Sequence, residues 1–194
     1  MLEALASTPL AMVLSNPREA DNPLLVVNAG FCSLTGYSES EVLGKNCRFL
    51  AGAEPDHDAT ARIRAAIRET QPTFVEIRNY RRDGSMFRNG VMITPILGED
   101  ERPQWFLGSQ VDLDAGSSPG FADRRSAAAV RVEALAPRQR QVLELMARGL
   151  LNKQIAWELK IAEKTVKMHR AHLLERLNVT SSAEAIRIAV EAGL

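Results

Sequence analysis

The chain has 194 residues, of which 24 are basic and 24 acidic, with 45% hydrophobic and 25% charged side chains. These proportions are typical of a globular protein and exclude a chain that is disordered along its whole length. No apolar run reaches the roughly 18 to 20 residues that a membrane-spanning helix needs, and the first residues lack the basic region of a secretory signal. We therefore expect a cytoplasmic protein without membrane contact.

The two halves of the chain differ in net charge. Residues 1–121 hold 11 basic and 16 acidic side chains, a net charge of −5, whereas residues 122–194 hold 13 and 8, a net charge of +5. A basic segment beside an acidic one indicates a nucleic-acid partner. Because a Gly/Ser/Pro-rich stretch at 114–120 is typical of a linker, we predict domains at 1–114 and 135–194, with a linker and connector helix over 115–134.

The first half mixes strand and helix patterns. Leu24–Val27 is a short strand-forming run, and residues 39–70 have helical periodicity, with Ser38 and Glu41 spaced as a capping box. Residues 73–80, 86–96 and 105–111 also have the composition of strands. Asp83-Gly84 between the first two of these predicts a hairpin. The fold class is therefore α+β, with an antiparallel sheet and flanking helices.

The second half has only helical patterns. Residues 122–135 are weakly helical, which leaves a connector helix and a disordered segment as alternatives. After a helix that starts at Pro137, two helices at about 152–159 and 163–177 are joined by a tight turn. This arrangement predicts a helix-turn-helix, whose second helix enters the major groove of DNA. A last helix begins at Ser181 and has an apolar face that needs a partner.

One segment of the first half carries a specific resemblance. Gly44-Lys-Asn-Cys-Arg-Phe-Leu50 resembles the flavin-binding signature of light-oxygen-voltage (LOV) domains, a branch of the PAS superfamily. Leu-Thr-Gly-Tyr at 34–37, Asn-Tyr-Arg-Arg-Asp-Gly at 79–84 and Phe-Leu-Gly-Ser-Gln at 106–110 are similar to that family in the same order. The likeness covers residues 9–113 and implies one noncovalently held flavin, FMN or alternatively FAD.

The LOV resemblance also implies roles for side chains. The sulfur of Cys47 is expected to bond reversibly to the flavin C4a atom after blue-light excitation, because a soft thiol can add to an electrophilic carbon and leave again. Gln110 is expected to face flavin N5 and to rearrange when N5 gains a proton, which makes it the signalling switch. Amides at the polar ring edge and guanidinium groups at the phosphate complete the implied site: Asn46, Asn79, Asn89, Arg48 and Arg64. Ala51 stands where the family often has glutamine, so one flavin contact is expected to be absent.

A second resemblance covers residues 135–179, which are similar to LuxR-type DNA-binding domains. Its motifs are Leu-x-Pro-Arg-Gln-x-x-Val-Leu, Gly-Leu-x-Asn-Lys-x-Ile-Ala, Lys-Thr-Val-Lys-x-His and Arg-Leu-Asn-Val. The resemblance implies a groove-facing set that contacts bases, Lys167, Met168, Arg170 and Ala171. It implies phosphate contacts from Asn152, Lys153, Lys164 and Thr165. It further implies that the last helix forms a dimer through Ala183, Ile186, Ala189 and Val190, although the sheet of the first domain is an alternative cover for that face.

Together the two resemblances imply a blue-light-regulated transcription factor that is not an enzyme. We expect a dark monomer, in which the sheet covers the last helix, and a lit homodimer on double-stranded DNA. No metal is expected, since His169 and His172 have no third ligand nearby in sequence. Two alternatives stay open: a flavin-dependent redox enzyme, for which no Gly-x-Gly-x-x-Gly is present, and a PAS regulator that senses redox state or another ligand without photochemistry.

Overall fold

The first domain is a five-stranded antiparallel sheet with helices on one face. The structure, a computed structural model, describes residues 8, 10–115 and 121–194, without the side chains of 121–124. The strands are β1 (Ala11–Ser15), β2 (Leu24–Val27), β3 (Thr73–Tyr80), β4 (Met86–Leu97) and β5 (Pro103–Asp112), in the order β2-β1-β5-β4-β3. Between β2 and β3 lie α1 (Ala29–Thr35), α2 (Glu39–Val42), a 3₁₀ turn (Cys47–Ala51) and α3 (His57–Glu69). The predicted α+β class is confirmed.

Strand β1 is the element that the sequence patterns did not predict. All five of its residues are buried, so its sequence shows no alternation of apolar and polar side chains. A short continuous apolar run cannot be assigned to strand or helix by its period alone. In the structure β1 pairs with both β2 and β5 and is held to α1 by Asn28, whose Oδ1 accepts from the Met12 and Phe31 N–H groups at 2.9 Å.

The second domain consists of helices that share one core. They are α4 (Phe121–Glu133), α5 (Pro137–Ala147), α6 (Asn152–Leu159), α7 (Glu163–Arg176) and α8 (Ser182–Ala192). Of the two alternatives for residues 122–135, the connector helix is therefore the observed one. The predicted helix-turn-helix is formed by α6 and α7, which pack with the other helices around Val142, Leu143, Ile155, Leu173 and Ile188. No helix in the described part of the chain is long and apolar enough to cross a bilayer.

Helices α5 and α6 begin at residues that have no capping oxygen. Ala136 and Leu151 occupy the N-cap positions, and in each case a glutamine three residues later accepts from the exposed backbone N–H. Gln139 Oε1 accepts from Ala136 N at 3.0 Å, and Gln154 Oε1 accepts from Leu151 N at 2.7 Å. These glutamines supply half of a capping box where the side chain of the N-cap residue cannot.

The second domain packs against the outer face of the sheet, which we define by Met12, Leu14, Met92, Thr94, Ile96 and Leu107. Met92 is fully buried within the core of the helical domain, with Phe74 of β3 beside it. Ala183 of α8 packs against the cluster of Met12, Leu14 and Leu107. Because side chains alternate along a strand, the residues between these face the opposite side, where α3 packs against β3.

Candidate functional site

A cavity of about 730 Å³ lies between the sheet, the 3₁₀ turn and α3. This volume falls within the range of about 300 to 1,000 Å³ that is usual for small-molecule sites. Most of its wall is apolar and comes from strands and from α3: Val13, Ile63, Ile67, Ile77, Val91, Ile93 and Phe106. Such a lining can hold a flat ring system out of water.

Asn79 and Gln110 line one wall of the cavity and form a buried network of amides with Asn89 behind them. The Nδ2 of Asn89 donates to Asn79 Oδ1 and to Gln110 Oε1, both at 2.9 Å. The three side chains are at most 5% exposed. The Oδ1 of Asn89 is buried and has no hydrogen-bond partner among the described residues. Because a buried polar atom without a partner costs about 1 to 3 kcal/mol, this wall lacks a donor that a ligand can supply.

Cys47 lies at the start of the 3₁₀ turn, and its sulfur faces the same network. Gln110 Nε2 donates to Cys47 Sγ at 3.5 Å. Burial raises the pKa of the Cys47 thiol to about 11, and the hydrogen bond from Gln110 offsets only part of that effect. The side chain faces the cavity and is half-buried. Its raised pKa keeps the thiol protonated at neutral pH.

Asn46 anchors the 3₁₀ turn. Its Oδ1 accepts from Arg48 N at 3.0 Å, and its Nδ2 donates to Asp21 O at 2.6 Å. Asn46 lines the cavity, but both amide atoms already have partners within the chain. A contact between Asn46 and a ring edge therefore stays a prediction, and it requires the amide to exchange one of these partners.

Positive side chains lie at the open side of the cavity. Arg48 and Arg64, both predicted from the LOV resemblance, line it together with Arg68. Arg68 was missed, although it follows Arg64 by four residues and so shares its helix face. Arg48 Nη1 lies 2.6 Å from Asp21 Oδ2, and this hydrogen bond lowers the pKa of Asp21.

The lining fits a flavin nucleotide. The apolar walls suit a tricyclic ring, the amides suit its carbonyl and N–H edge, and the arginines suit a phosphate. Ala51 also lines the cavity, where a glutamine would have added another amide. Arg48, Arg64, Asn79, Asn89 and Gln110 would hold the ligand, with Cys47 placed beside the ring.

The predicted DNA-contacting residues lie on α6 and α7, and most of them are exposed. Lys153, Lys164, Lys167, Met168 and Ala171 face solvent, whereas Asn152 and Thr165 are half-buried. Lys167 forms an exposed pair with Glu163 at 3.0 Å, and such a pair is worth little in solvent. In the described ranges, no group of three or more His, Cys, Asp or Glu side chains could hold a metal ion, and His169 and His172 form none.

Arg170 differs from the other predicted groove-facing residues. Its guanidinium donates to Asn152 Oδ1 at the start of α6 and to Ser182 Oγ at the start of α8, the latter at 2.8 Å. Burial lowers the pKa of this side chain. Arg170 therefore joins three helices in this structure, and its predicted contact with guanine stays untested.

The four predicted dimerisation residues are covered to different extents. Ala189 and Val190 are buried in the helical core, and Ile186 packs against that core. Ala183 packs against the outer face of the sheet. The apolar face of α8 is therefore partnered within the chain by its own domain and by the sheet.

Comparison with known families decides the class of both domains. Residues 9–115, more than half of the chain, match the model of the PAS domain family. The chain belongs to the PAS family. Residues 133–189 match the model of the luxR family of bacterial regulatory proteins, so the PAS domain precedes a LuxR-type DNA-binding domain.

The relatives of this PAS protein place it among the LOV domains. It is 41% identical over 133 residues to blue-light-activated histidine kinase 1 of Erythrobacter litoralis, a match that covers 67% of this chain and 37% of that protein. It is 40% identical over 113 residues to a blue-light photoreceptor of Listeria monocytogenes, covering 58% and 44%. The solved LOV domain of an Erythrobacter litoralis blue-light-activated histidine kinase matches with a TM-score of 0.53 and 40% identity, covering 55% of this chain and 97% of that one. The chain thus spans less than half the length of these two curated relatives.

Proposed function

We propose that this LOV protein is a transcription factor whose binding to double-stranded DNA is controlled by blue light. The ligand would be FMN, which when bound supplies blue-light absorption and an electrophilic ring carbon. The protein would act by binding DNA in the cytoplasm, and not as an enzyme. The observation that carries it is that one strand, β5, holds Gln110 in the cavity while its other side packs toward the DNA-binding domain.

Cys47 is the group that we infer to react. Because its pKa of about 11 keeps the thiol protonated, it can supply both the sulfur and the proton. The flavin, held by Arg48, Arg64, Asn79, Asn89 and Gln110, would supply the electrophilic carbon and a proton-accepting nitrogen, while Cys47 would supply the sulfur and the proton. In darkness Cys47 would recover its proton, which accounts for a reversible signal without any external oxidant or reductant.

Gln110 would transmit this change. Its Nε2 contacts the Cys47 sulfur and its Oε1 accepts from Asn89, so a chemical change at the sulfur alters one partner of the amide directly and the bond to Asn89 through it. The preceding residue, Ser109, faces the other side of the sheet and is paired with Met92. Met92 belongs to the core of the DNA-binding domain, so the path from the cavity to that domain crosses one strand.

We infer that docking on the sheet is the inactive arrangement. Docking covers Ala183 of α8, while Ile186, Ala189 and Val190 pack in the helical core. We infer that the LuxR-type domain forms a homodimer through this helix once the sheet releases it. Light would weaken the contact with the sheet, so a dark monomer becomes a lit dimer. A change of a few kcal/mol is enough to shift such a two-state balance. Lys167, Met168 and Ala171 would then contact bases, Asn152, Lys153, Lys164 and Thr165 would contact phosphates, and Arg170 would position Asn152 through the hydrogen bond seen in this structure.

The decisive experiment follows absorption and DNA binding of the whole chain before and after a blue flash. We expect a flavin band that bleaches and returns in darkness, together with light-induced DNA binding and light-induced dimers in sedimentation. Cys47→Ala should keep the dark flavin band and lose all three responses. Cys32→Ala is the matched control, because Cys32 is a second free thiol that does not line the cavity.

Two results would contradict the proposal. Light-induced DNA binding by Cys47→Ala would remove the thiol from the mechanism. If the protein takes up no flavin, the DNA-binding assignment would stand, but the flavin proposal would fail and the LOV domain would have to bind a different ligand.

A further inference from the structure

The turn between α5 and α6 contacts the end of β4 without involving α8. Leu97 N donates to Gly149 O at 3.1 Å, and Gln154 Nε2 donates to Gly98 O at 3.2 Å. Gly149 has a φ of +85°, and a Cβ placed on it would lie 2.1 Å from Pro95 O. The two backbones are therefore in direct contact at a place where only glycine fits.

This contact lies at the end of α6 that the LuxR resemblance assigns to DNA phosphates. Gln154 is the third residue of α6, and Asn152 and Lys153 are the first two. The free N–H groups and the dipole at the start of a helix attract anions. In this structure the LOV domain therefore contacts the same end of α6 that DNA would contact in the proposed function.

The sensor segment at this place is acidic. The loop between β4 and β5, residues 98–102, contains three acidic side chains, Glu99, Asp100 and Glu101, against one basic side chain, Arg102, all exposed. Asp100 is paired with Arg18 at 2.8 Å, while Glu99 and Glu101 appear in no ion pair of the described chain. Because this loop contacts Gln154, the residue after Lys153, we expect its free carboxylates to oppose phosphates that approach this end of α6, as like charges do within a Debye length of about 10 Å.

We propose that the β4–β5 loop is a second inhibitory element, which blocks the phosphate-contacting end of α6 directly and independently of dimerisation. This inference rests on the proposed function, because it takes the start of α6 to face DNA. The Gly98 carbonyl and the two free carboxylates stand where phosphates would approach, so the sensor and DNA compete for one surface. By reciprocity, whatever weakens this contact strengthens DNA binding in the dark.

The first test reverses the charge of the loop in the full chain. Affinity for a short DNA duplex of arbitrary sequence is measured in darkness at low salt by fluorescence anisotropy. Glu99→Lys/Glu101→Lys should bind at least about fivefold more tightly than Glu39→Lys/Asp58→Lys. The control makes the same change of net charge at exposed positions on α2 and α3. The excess should shrink as salt is added, and sedimentation should show that the loop variant remains a monomer.

The second test removes the hydrogen bond to Gly98. Gln154→Ala loses that bond and the cap of α6, whereas Gln139→Ala loses the equivalent cap of α5 and touches no sensor residue among the contacts described. Gln154→Ala should raise dark DNA affinity and speed hydrogen exchange at the Leu97 amide, and Gln139→Ala should do neither.

The outcomes separate the inference from the proposed function. Normal light induction of the wild-type protein, with loop variants no tighter than their controls in darkness, would overturn the inference alone. Tighter dark binding accompanied by dimers would also overturn it, because the gain would then come from α8. Wild-type protein that binds no DNA in the light would refute the proposed function and the inference with it.

Discussion

Gln110 donates a hydrogen bond from Nε2 to the sulfur of Cys47 across 3.5 Å. The same amide accepts from Asn89 through Oε1, so the thiol and the amide wall form one network. Any chemical change at the sulfur therefore changes the partners of Gln110 first. Since Gln110 lies on β5 between buried Ser109 and half-buried Val111, it can respond by turning its amide or by moving the strand.

Replacing this amide should separate light absorption from the output. We expect Gln110→Leu to keep a bleaching flavin band, because Cys47 is unchanged, and to lose at least about tenfold of the light-induced gain in DNA affinity, since leucine cannot exchange hydrogen bonds. Gln104→Leu makes the same substitution at the start of the same strand, away from Cys47, and should keep full induction. Full induction in Gln110→Leu would exclude this amide as the switch.

The pKa of Cys47 predicts how stability changes with pH. Because the folded pKa is raised from near 9 to about 11, the unfolded chain loses this proton first as pH rises. The free energy of unfolding should thus fall between pH 9 and pH 11, by about 3 kcal/mol, and should not vary with pH through this thiol below pH 9. Urea unfolding in the dark should show that Cys47→Ser lacks this component. Identical pH profiles above pH 9 for both proteins would contradict the assigned burial.

Sequence patterns predicted local features well because those depend on nearby residues. The bounds of α6 were predicted at 152–159 and observed there, and the motif around Cys47 placed the thiol beside the cavity. Strand β1 was missed because burial along its whole length erases its period. The contact of Gly149 with Pro95 was not predictable, since it joins segments far apart in the sequence and depends on how two domains pack.

The engagement of Arg170 was also not predictable. Its position in the LuxR resemblance implied a groove-facing side chain, but its partners Asn152 and Ser182 lie on two other helices. Only the three-dimensional packing of α6, α7 and α8 brings them within reach. Arg68, by contrast, could have been predicted from helical periodicity, because it lies one turn after Arg64.

The outer face of the sheet contains a buried hydroxyl that should weaken docking. Thr94 is fully buried between Met92 and Ile96, and its Oγ1 has no partner among the described residues. A hydroxyl in this situation costs about 1 kcal/mol or more, and the cost disappears when undocking exposes it to water. Thr94→Val keeps the shape, so it should stabilise the docked arrangement.

The expected result for Thr94→Val is about fivefold weaker DNA binding in the light, with an unchanged flavin spectrum. Thr73→Val provides the comparison, because Thr73 is half-buried at the start of β3 and pairs with Ile93, a cavity-face residue. Stronger DNA binding by Thr94→Val would mean that the hydroxyl helps to hold the two domains together.

Arg170 offers a test of how the DNA-binding surface is assembled. Its guanidinium holds Asn152 through Oδ1, which leaves the Asn152 Nδ2 group directed elsewhere and able to donate to a phosphate. If this arrangement persists on DNA, Arg170 positions Asn152 and does not itself contact a base. Arg170→Met should then weaken binding equally on all DNA sequences, because phosphate contacts carry no sequence information.

A double-mutant cycle makes this distinction quantitative. The losses from Arg170→Met and Asn152→Ala should not add, with a coupling of about 1 kcal/mol or more, because each variant breaks the same contact. Lys167→Met is the control: Lys167 is exposed on α7 and should alter the preference for guanine when removed. Additive losses together with a changed base preference in Arg170→Met would contradict this role. They would show that on DNA the guanidinium gives up its bonds to Asn152 and Ser182 and binds guanine. The contact that joins the three helices would then be lost.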